Sequence, residues 1–282
     1  MTRLTRRKLL HNSALVSLAA VATGARNATA QQGRGIAAEI DSHYYYPQRR
    51  GLKSLLAQFE VKELEGRLRA TIITESASNP DLTIDASSIR LEGLYAWDGN
   101  KRTRFAIDGW PTGYDPLELK RHEGVHKQMA NLVVPDEHEF FFRDFDIQTE
   151  KSASGLTVTG RKKVAYTRID SFTKSFSRDY RKTVLKGAGP EAIFQTTTTY
   201  VPFKGNLVFD ELDFGVRVGS VDLHYTIRPY YVEIEGFILP SRIVLTYFDE
   251  NGQIDGDPFE LVSVQYAVNT GEAKPGAGKK KQ

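Results

Sequence analysis

The sequence predicts a mainly β protein, a curved antiparallel sheet or unclosed β-barrel with one or two lid helices. Three observations lead there. Runs in which apolar and polar residues alternate recur from about Phe59 to Asn269, the period of strands with one wet face. Short connections rich in Gly, Asn and Asp join these runs, and parallel neighbours would instead need a crossover helix between each pair. Pro116 to Asn131 is the strongest helix candidate beyond the first thirty residues.

In chain order, residues 1–30 read as a targeting segment of the twin-arginine type. Arg6-Arg7 precede a modest apolar run from Ala14 to Ala22, and Ala28-Thr29-Ala30 supplies small residues for cleavage near Ala30. The apolar run is about half of the ~20 residues a bilayer span needs. Residues 31–270 follow as a single β-rich domain and 271–282 as a flexible basic tail with Lys274, Lys279, Lys280 and Lys281. From Ala37 to about Leu56 the spacing of Ile40, Tyr44, Leu52, Leu55 and Leu56 predicts helical or mixed structure, broken at Pro47 and Gly51. Phe59, Val61, Leu64, Leu68 and Ile72 among charged residues predict a strand. Ile89 to Trp97 predicts another, turned by Asp98-Gly99-Asn100 into Thr103 to Ile107 as a hairpin.

The helix from Pro116 to Asn131 has Asp115 as N-cap and proline at its first position, and Val133-Val134-Pro135 ends it. Further strands are expected over Glu139 to Gln148, Leu156 to Ile169, Ile193 to Pro202, Leu207 to Val218, Val221 to Arg228, Tyr231 to Ile238, Arg242 to Asp249 and Phe259 to Asn269. Ser154-Gly155, Lys204-Gly205-Asn206 and Glu250-Asn251-Gly252 supply turns that tolerate positive φ. The total is roughly ten strands.

Composition narrows the function. Of 38 Lys and Arg, five (Arg3, Arg6, Arg7, Lys8 and Arg26) fall in the leader, which holds no acid, so the 35 Asp and Glu slightly outnumber the bases that remain. A nucleic-acid partner is therefore not expected. The absence of cysteine excludes a thiol nucleophile, a Cys metal site, an iron–sulfur ligand set and a lipid-modified N-terminal cysteine. No later run approaches ~18 consecutive apolar residues, so no span is expected after leader removal. An exported, periplasmic or otherwise extracytoplasmic protein is the resulting expectation. The short basic clusters Arg161-Lys162-Lys163 and Arg178 to Lys182 read as exposed strand or turn residues, with anionic headgroups as the alternative.

His122-Glu123-Gly124-Val125-His126 matches the H-E-x-x-H pattern of zinc peptidases. There two histidines one helical turn apart bind the metal and the glutamate acts as base on its water. A third ligand would have to come from residues such as Glu137, His138, Glu139 or Glu150. The pattern has only three fixed positions, and Gly124 weakens a helix by about 1 kcal/mol relative to Ala. A solvated polar helix face is the preferred reading, with His122 and His126 as zinc ligands and Glu123 as base the alternative.

Tyr231-Val232-Glu233-Ile234-Glu235-Gly236-Phe237-Ile238-Leu239-Pro240-Ser241-Arg242-Ile243 resembles a Gly-Phe-x-Leu-Pro-x-Arg stretch joining two late strands in periplasmic lipoprotein-sorting proteins. The Glu250-Asn251-Gly252 turn and a last strand ending Tyr266-Ala267-Val268-Asn269 extend the similarity over roughly the last 45 residues. The resemblance implies an unclosed barrel with a helical lid whose apolar concavity shields acyl chains or a lipoprotein anchor, without catalysis or cofactor. That family's lid arginine and lining positions find no matching motif in the N-terminal half. The expected function is a non-catalytic carrier of a lipid or lipidated ligand. A zinc-dependent hydrolase is the first alternative, and a module whose sheet edge pairs with another envelope protein is the second.

Overall fold

In the computed structural model, residues 28–79, 81–99, 103–143, 146–151, 155–162, 166–173, 181–186, 192–218 and 221–270 are described. Arg6, Arg7 and the basic tail lie outside these residues, as do Ser154 and Lys163. Twelve strands form one antiparallel sheet: β1 (Leu55–Glu60), β2 (Glu92–Trp97), β3 (Thr103–Asp108), β4 (Asp146–Lys151), β5 (Gly155–Lys162), β6 (Tyr166–Thr173), β7 (Arg181–Lys186), β8 (Ala192–Phe203), β9 (Asn206–Val218), β10 (Val221–Ile234), β11 (Phe237–Phe248) and β12 (Phe259–Val268). The helices among the described residues are α1 (Ala28–Asp41), α2 (Lys62–Ser78), α3 (Pro116–Ala130) and the single turn and a half of α4 (His138–Phe142).

The strand order is β3-β2-β1-β12-β11-β10-β9-β8-β7-β6-β5-β4, so β12 closes back on β1 while β3 and β4 stand at opposite edges. The sheet is not a closed barrel. Because β3 and β4 are consecutive in the chain, the segment between them must travel from one edge to the other, and α3 and α4 lie on it. One small cluster joins Ala37 and Ile40 of α1 to Leu156 and Val158 of β5 and Tyr200 of β8. α1 thus lies across strands three places apart in the curved, unclosed sheet.

The main core shows how the bend is filled. Leu55, Ala57 and Phe59 on β1 are buried while the residues between them are less so, and the register carries this face sideways. Leu55 sits opposite Trp97 and Val268, Ala57 opposite Tyr95 and Tyr266, and Phe59 opposite Gly93. On the far side Leu261 faces Ile243, and Phe259 faces Leu245. Leu64, Leu68 and Ile72 of α2 and Val125, Met129 and Ala130 of α3 complete the same cluster. α2 rests on β12, and α3 on β3, β11 and β12. Gly93 has a specific place here: a Cβ there would come within 2.8 Å of the Phe105 ring, which lies over it from the paired strand.

Several local expectations are corrected. Phe59 to Ile72 is not one strand: β1 ends at Glu60 and α2 begins at Lys62. Leu64, Leu68 and Ile72 are four residues apart, the spacing of one helix face, with Glu63 and Glu65 in the first turn. Leu55 and Leu56, expected in the opening helical region, are on β1, while Pro47–Arg50 forms a 3-10 turn closed by Gly51 at φ 99°. Glu139 to Gln148 is divided into α4 and β4, and Leu156 to Ile169 into β5 and β6, which pair as a hairpin. Val221 to Ile234 is one strand through Pro229, with a bulge at Tyr230/Tyr231, the irregularity at which a ladder tolerates proline. Arg181 and Lys182, read as part of a basic cluster, open β7, and the sheet has twelve strands rather than roughly ten.

Candidate functional site

α3 forms where the sequence places it. The Asp115 carboxylate accepts the Leu117 N–H at 2.8 Å, and Pro116 occupies the first turn. On this helix His122, Glu123 and His126 have separate surroundings. His126 is fully buried, flanked by Phe105 at 6.2 Å between centroids and Phe259 at 5.7 Å. Its Nδ1–H donates to the His122 carbonyl at 2.8 Å, and its Nε2 has no hydrogen-bond partner among the described residues. Burial pushes the imidazole down to about 4, because the charged form would lose its hydration without a counter-charge. The expected solvated face is therefore incorrect at His126, which is a core residue.

Glu123 accepts the backbone N–H of Ile107 at 3.1 Å. That N–H belongs to edge strand β3, and the contact satisfies a donor that an open edge would leave unpaired. Beside it, Thr103 Oγ1 donates to Asn131 Oδ1 at 3.1 Å, so α3 covers the β3 edge at two points. Of the suggested third ligands, Glu137 is paired with Arg49 and His138 with Asp41. Among the described residues no group of three or more His, Cys, Asp and Glu is placed to hold a metal ion. The residues present do not fit the four-coordinate site that zinc chemistry requires.

A buried polar network joins α1, the 3-10 turn and α4. Asp41, the last residue of α1, and His138, the first of α4, are fully buried. Asp41 Oδ1 accepts His138 Nδ1–H at 2.7 Å and the His138 backbone N–H at 2.8 Å, and Oδ2 accepts the Glu139 N–H at 3.1 Å. Arg49 lies 3.3 Å from Asp41 and 2.8 Å from Glu137, and the Tyr46 hydroxyl is 3.2 Å from His138 Nδ1. Burial opposes the charge on Asp41, but the bonds from His138 and the two backbone N–H groups outweigh it and hold the carboxyl below its ordinary value. Sequence reasoning missed this network because Asp41 and His138 are 97 residues apart.

The third feature is the concave face beyond the main core. On β9, Leu212 faces Ile227 and Phe214 faces Tyr225; on β11, Tyr247 faces Tyr225. The rings of Phe214 and Tyr225 stack at 4.7 Å, and Tyr247 meets Tyr225 edge-on at 5.6 Å. Tyr200 and Phe209 continue this face toward α1, with Tyr44 stacked on Tyr200 at 4.0 Å. Leu212, Phe214 and Leu223 are only partly buried, although they share the side of the sheet on which α2 and α3 pack. Alternating apolar residues of β9 and β10 carried the signal for this face; that some of them are only partly buried could not be read from it. No helix among the described residues is long and apolar enough to cross a membrane. No family model matches this chain, and no match is found among curated proteins or solved structures.

Proposed function

We propose that this protein is exported to the cell envelope, where its concave sheet face binds the apolar part of a lipid or lipidated ligand without chemical conversion. The observation that carries this reading is the apolar face continuing past α2 and α3 onto β9 and β10, where Leu212, Phe214 and Leu223 are incompletely covered. Apolar surface of this kind gains about 25 cal/mol for each Å² removed from water, and each acyl methylene about 0.8 kcal/mol. The leader-like segment with Arg6, Arg7 and Ala30 supports export. The resemblance of Tyr231 to Ile243 to lipoprotein-sorting proteins supports a carrier of that general kind, and here that stretch forms the β10–β11 hairpin around Glu235-Gly236.

The hydrolase alternative draws no support from Glu123, whose carboxylate accepts the Ile107 N–H, or from His126, whose ring is buried beside Phe105 and Phe259. The edge-pairing alternative is weakened where α3 covers β3. Mass spectrometry of organic extracts from protein purified out of its native compartment, with elemental analysis of the same sample, tests the reading. Stoichiometric acyl lipid without zinc is the expected result. Lipid-free protein that also fails to take up a fluorescent fatty-acid probe would overturn it.

A further inference from the structure

A cleft of about 370 Å³ opens at the end of the sheet where the β8–β9 and β10–β11 hairpins turn. The turn residues Lys204-Gly205 and Glu235-Gly236 all have positive φ. The chain between α1 and the 3-10 turn crosses this end and fastens to both hairpins. Tyr45 N–H donates to the Leu207 carbonyl on β9 at 2.9 Å, and the Tyr45 hydroxyl accepts the Ile238 N–H on β11 at 2.8 Å. Arg50, the last residue of the 3-10 turn, donates through Nη2 to Asn206 Oδ1 at 3.1 Å, and Asn206 Nδ2 donates to the Lys204 carbonyl at 3.1 Å. Tyr45, Arg50, Lys204, Asn206 and the buried Ile238 thereby line one space.

Donors are in surplus here. Arg50 commits an N–H to a neutral amide and forms no salt bridge among the described residues, so the rest of its guanidinium fork is uncommitted. Lys204 Nζ donates to Glu233 Oε2 at 2.6 Å, which leaves its ammonium with donors to spare. Among the described residues Glu233 is the only carboxylate lining the cleft, so Arg50, Lys204 and Glu233 together leave one positive charge. Glu235, in the adjoining turn, does not line it. Burial pushes the Tyr45 hydroxyl above its ordinary value of 10.0, so the phenol is protonated at neutral pH. Its oxygen accepts from Ile238, and its proton has no acceptor among the described residues. Guanidinium, ammonium and phenol are thus donors on three separate side chains around an unbalanced charge. A carboxylate offers such a set only two oxygens, whereas a phosphate offers three and pairs well with arginine.

We infer that this cleft binds the phosphate group of an anionic ligand, with Arg50 and Lys204 on its charged oxygens and the Tyr45 hydroxyl donating to another. The site does not depend on what the concave face binds. A free phosphate and the headgroup of an acidic lipid share this chemistry. The test is amide NMR of the protein titrated with inorganic phosphate and, separately, with dihexanoyl phosphatidic acid below its micellar concentration, both at fixed ionic strength in sodium chloride. Saturable shifts are expected at the Asn206, Gly236 and Ile238 amides. Arg50→Gln should weaken binding by about tenfold or more, the scale for losing a charge-assisted pair. Arg228→Gln, at a cation already paired with Glu211, should leave binding unchanged. Equal affinity for the two probes would assign the cleft to the phosphate alone, and tighter binding of phosphatidic acid would assign it to a lipid headgroup. No saturable shift with either probe, shifts reproduced by sodium chloride alone, or undiminished affinity in Arg50→Gln would each overturn the proposal.

Discussion

Asp41 and His138 meet at 2.7 Å inside the protein, the end of one helix held against the start of another. Asp41 accepts both backbone N–H groups of the first two residues of α4 as well as the imidazole. Its charge thus supplies what Glu137, in the N-cap position without a side-chain capping bond, does not.

Replacing Asp41 by Asn is therefore expected to cost about 3 kcal/mol, the scale for breaking a buried pair from one side. Arg49→Gln, at a third-exposed partner, should cost about 1 kcal/mol or less. The Asp41 carboxyl is held below its ordinary value of 3.8. Its contribution is present above the unfolded value and is lost as pH falls through the lower folded value. Urea titrations should show the Asp41→Asn deficit at pH 7 and a smaller one in strong acid. Equal midpoints for wild type and Asp41→Asn at pH 7 would refute the assignment.

His126 has the opposite sign. Its imidazole is pushed from 6.5 to about 4 in the folded protein, so between those values the unfolded chain binds the extra proton. Stability should be full above pH 6.5, fall as pH drops towards 4 and then level, by roughly 3 kcal/mol in total. His126→Leu should remove that component of the pH dependence, measured as the unfolding free energy at pH 7.5 and pH 4.5. A His126→Leu profile parallel to wild type contradicts the burial argument.

Glu123 holds the β3 edge through the Ile107 N–H. Glu123→Ala should cost about 1–2 kcal/mol and speed hydrogen exchange at the Ile107 amide, while Glu123→Gln, which keeps an acceptor oxygen, should largely preserve protection. Unchanged exchange at Ile107 in Glu123→Ala would show that the contact is not formed in solution.

Phe214 lies on the partly covered concave face and is stacked on Tyr225. Phe214→Glu is expected to weaken uptake of a fluorescent fatty acid by tenfold or more, since it places a charge where apolar burial provides the affinity. Val264, more than half exposed, is the control: Val264→Glu should leave uptake unchanged. Equal loss in both variants would separate uptake from the concave face.

Much of the β architecture was legible because its signals are local. Alternation marks β2, β3, β8, β9 and β12, and Asp115-Pro116 marks the start of α3. Where a segment depends on distant partners, local reading failed. α2 reads locally as strand because charged residues around Leu64, Leu68 and Ile72 also suit a wet strand face, and only burial of all three in the main core, against β12, decides the period. α4 depends on a carboxylate delivered from α1. The H-E-x-x-H spelling shows one-turn spacing but not that the His126 ring is buried beside Phe105 and Phe259 while Glu123 reaches a sheet edge.

By itself, then, the sequence determined the antiparallel β class, the hairpin turns and the start of α3, since turn chemistry and two-residue periodicity act over a few neighbouring residues. Tertiary structure alone decided that β12 returns to β1, that Asp41 meets His138, and that Leu212, Phe214 and Leu223 stay partly uncovered on the concave face. These depend on how residues tens to hundreds of positions apart share volume and hydrogen-bond partners, which no local pattern encodes.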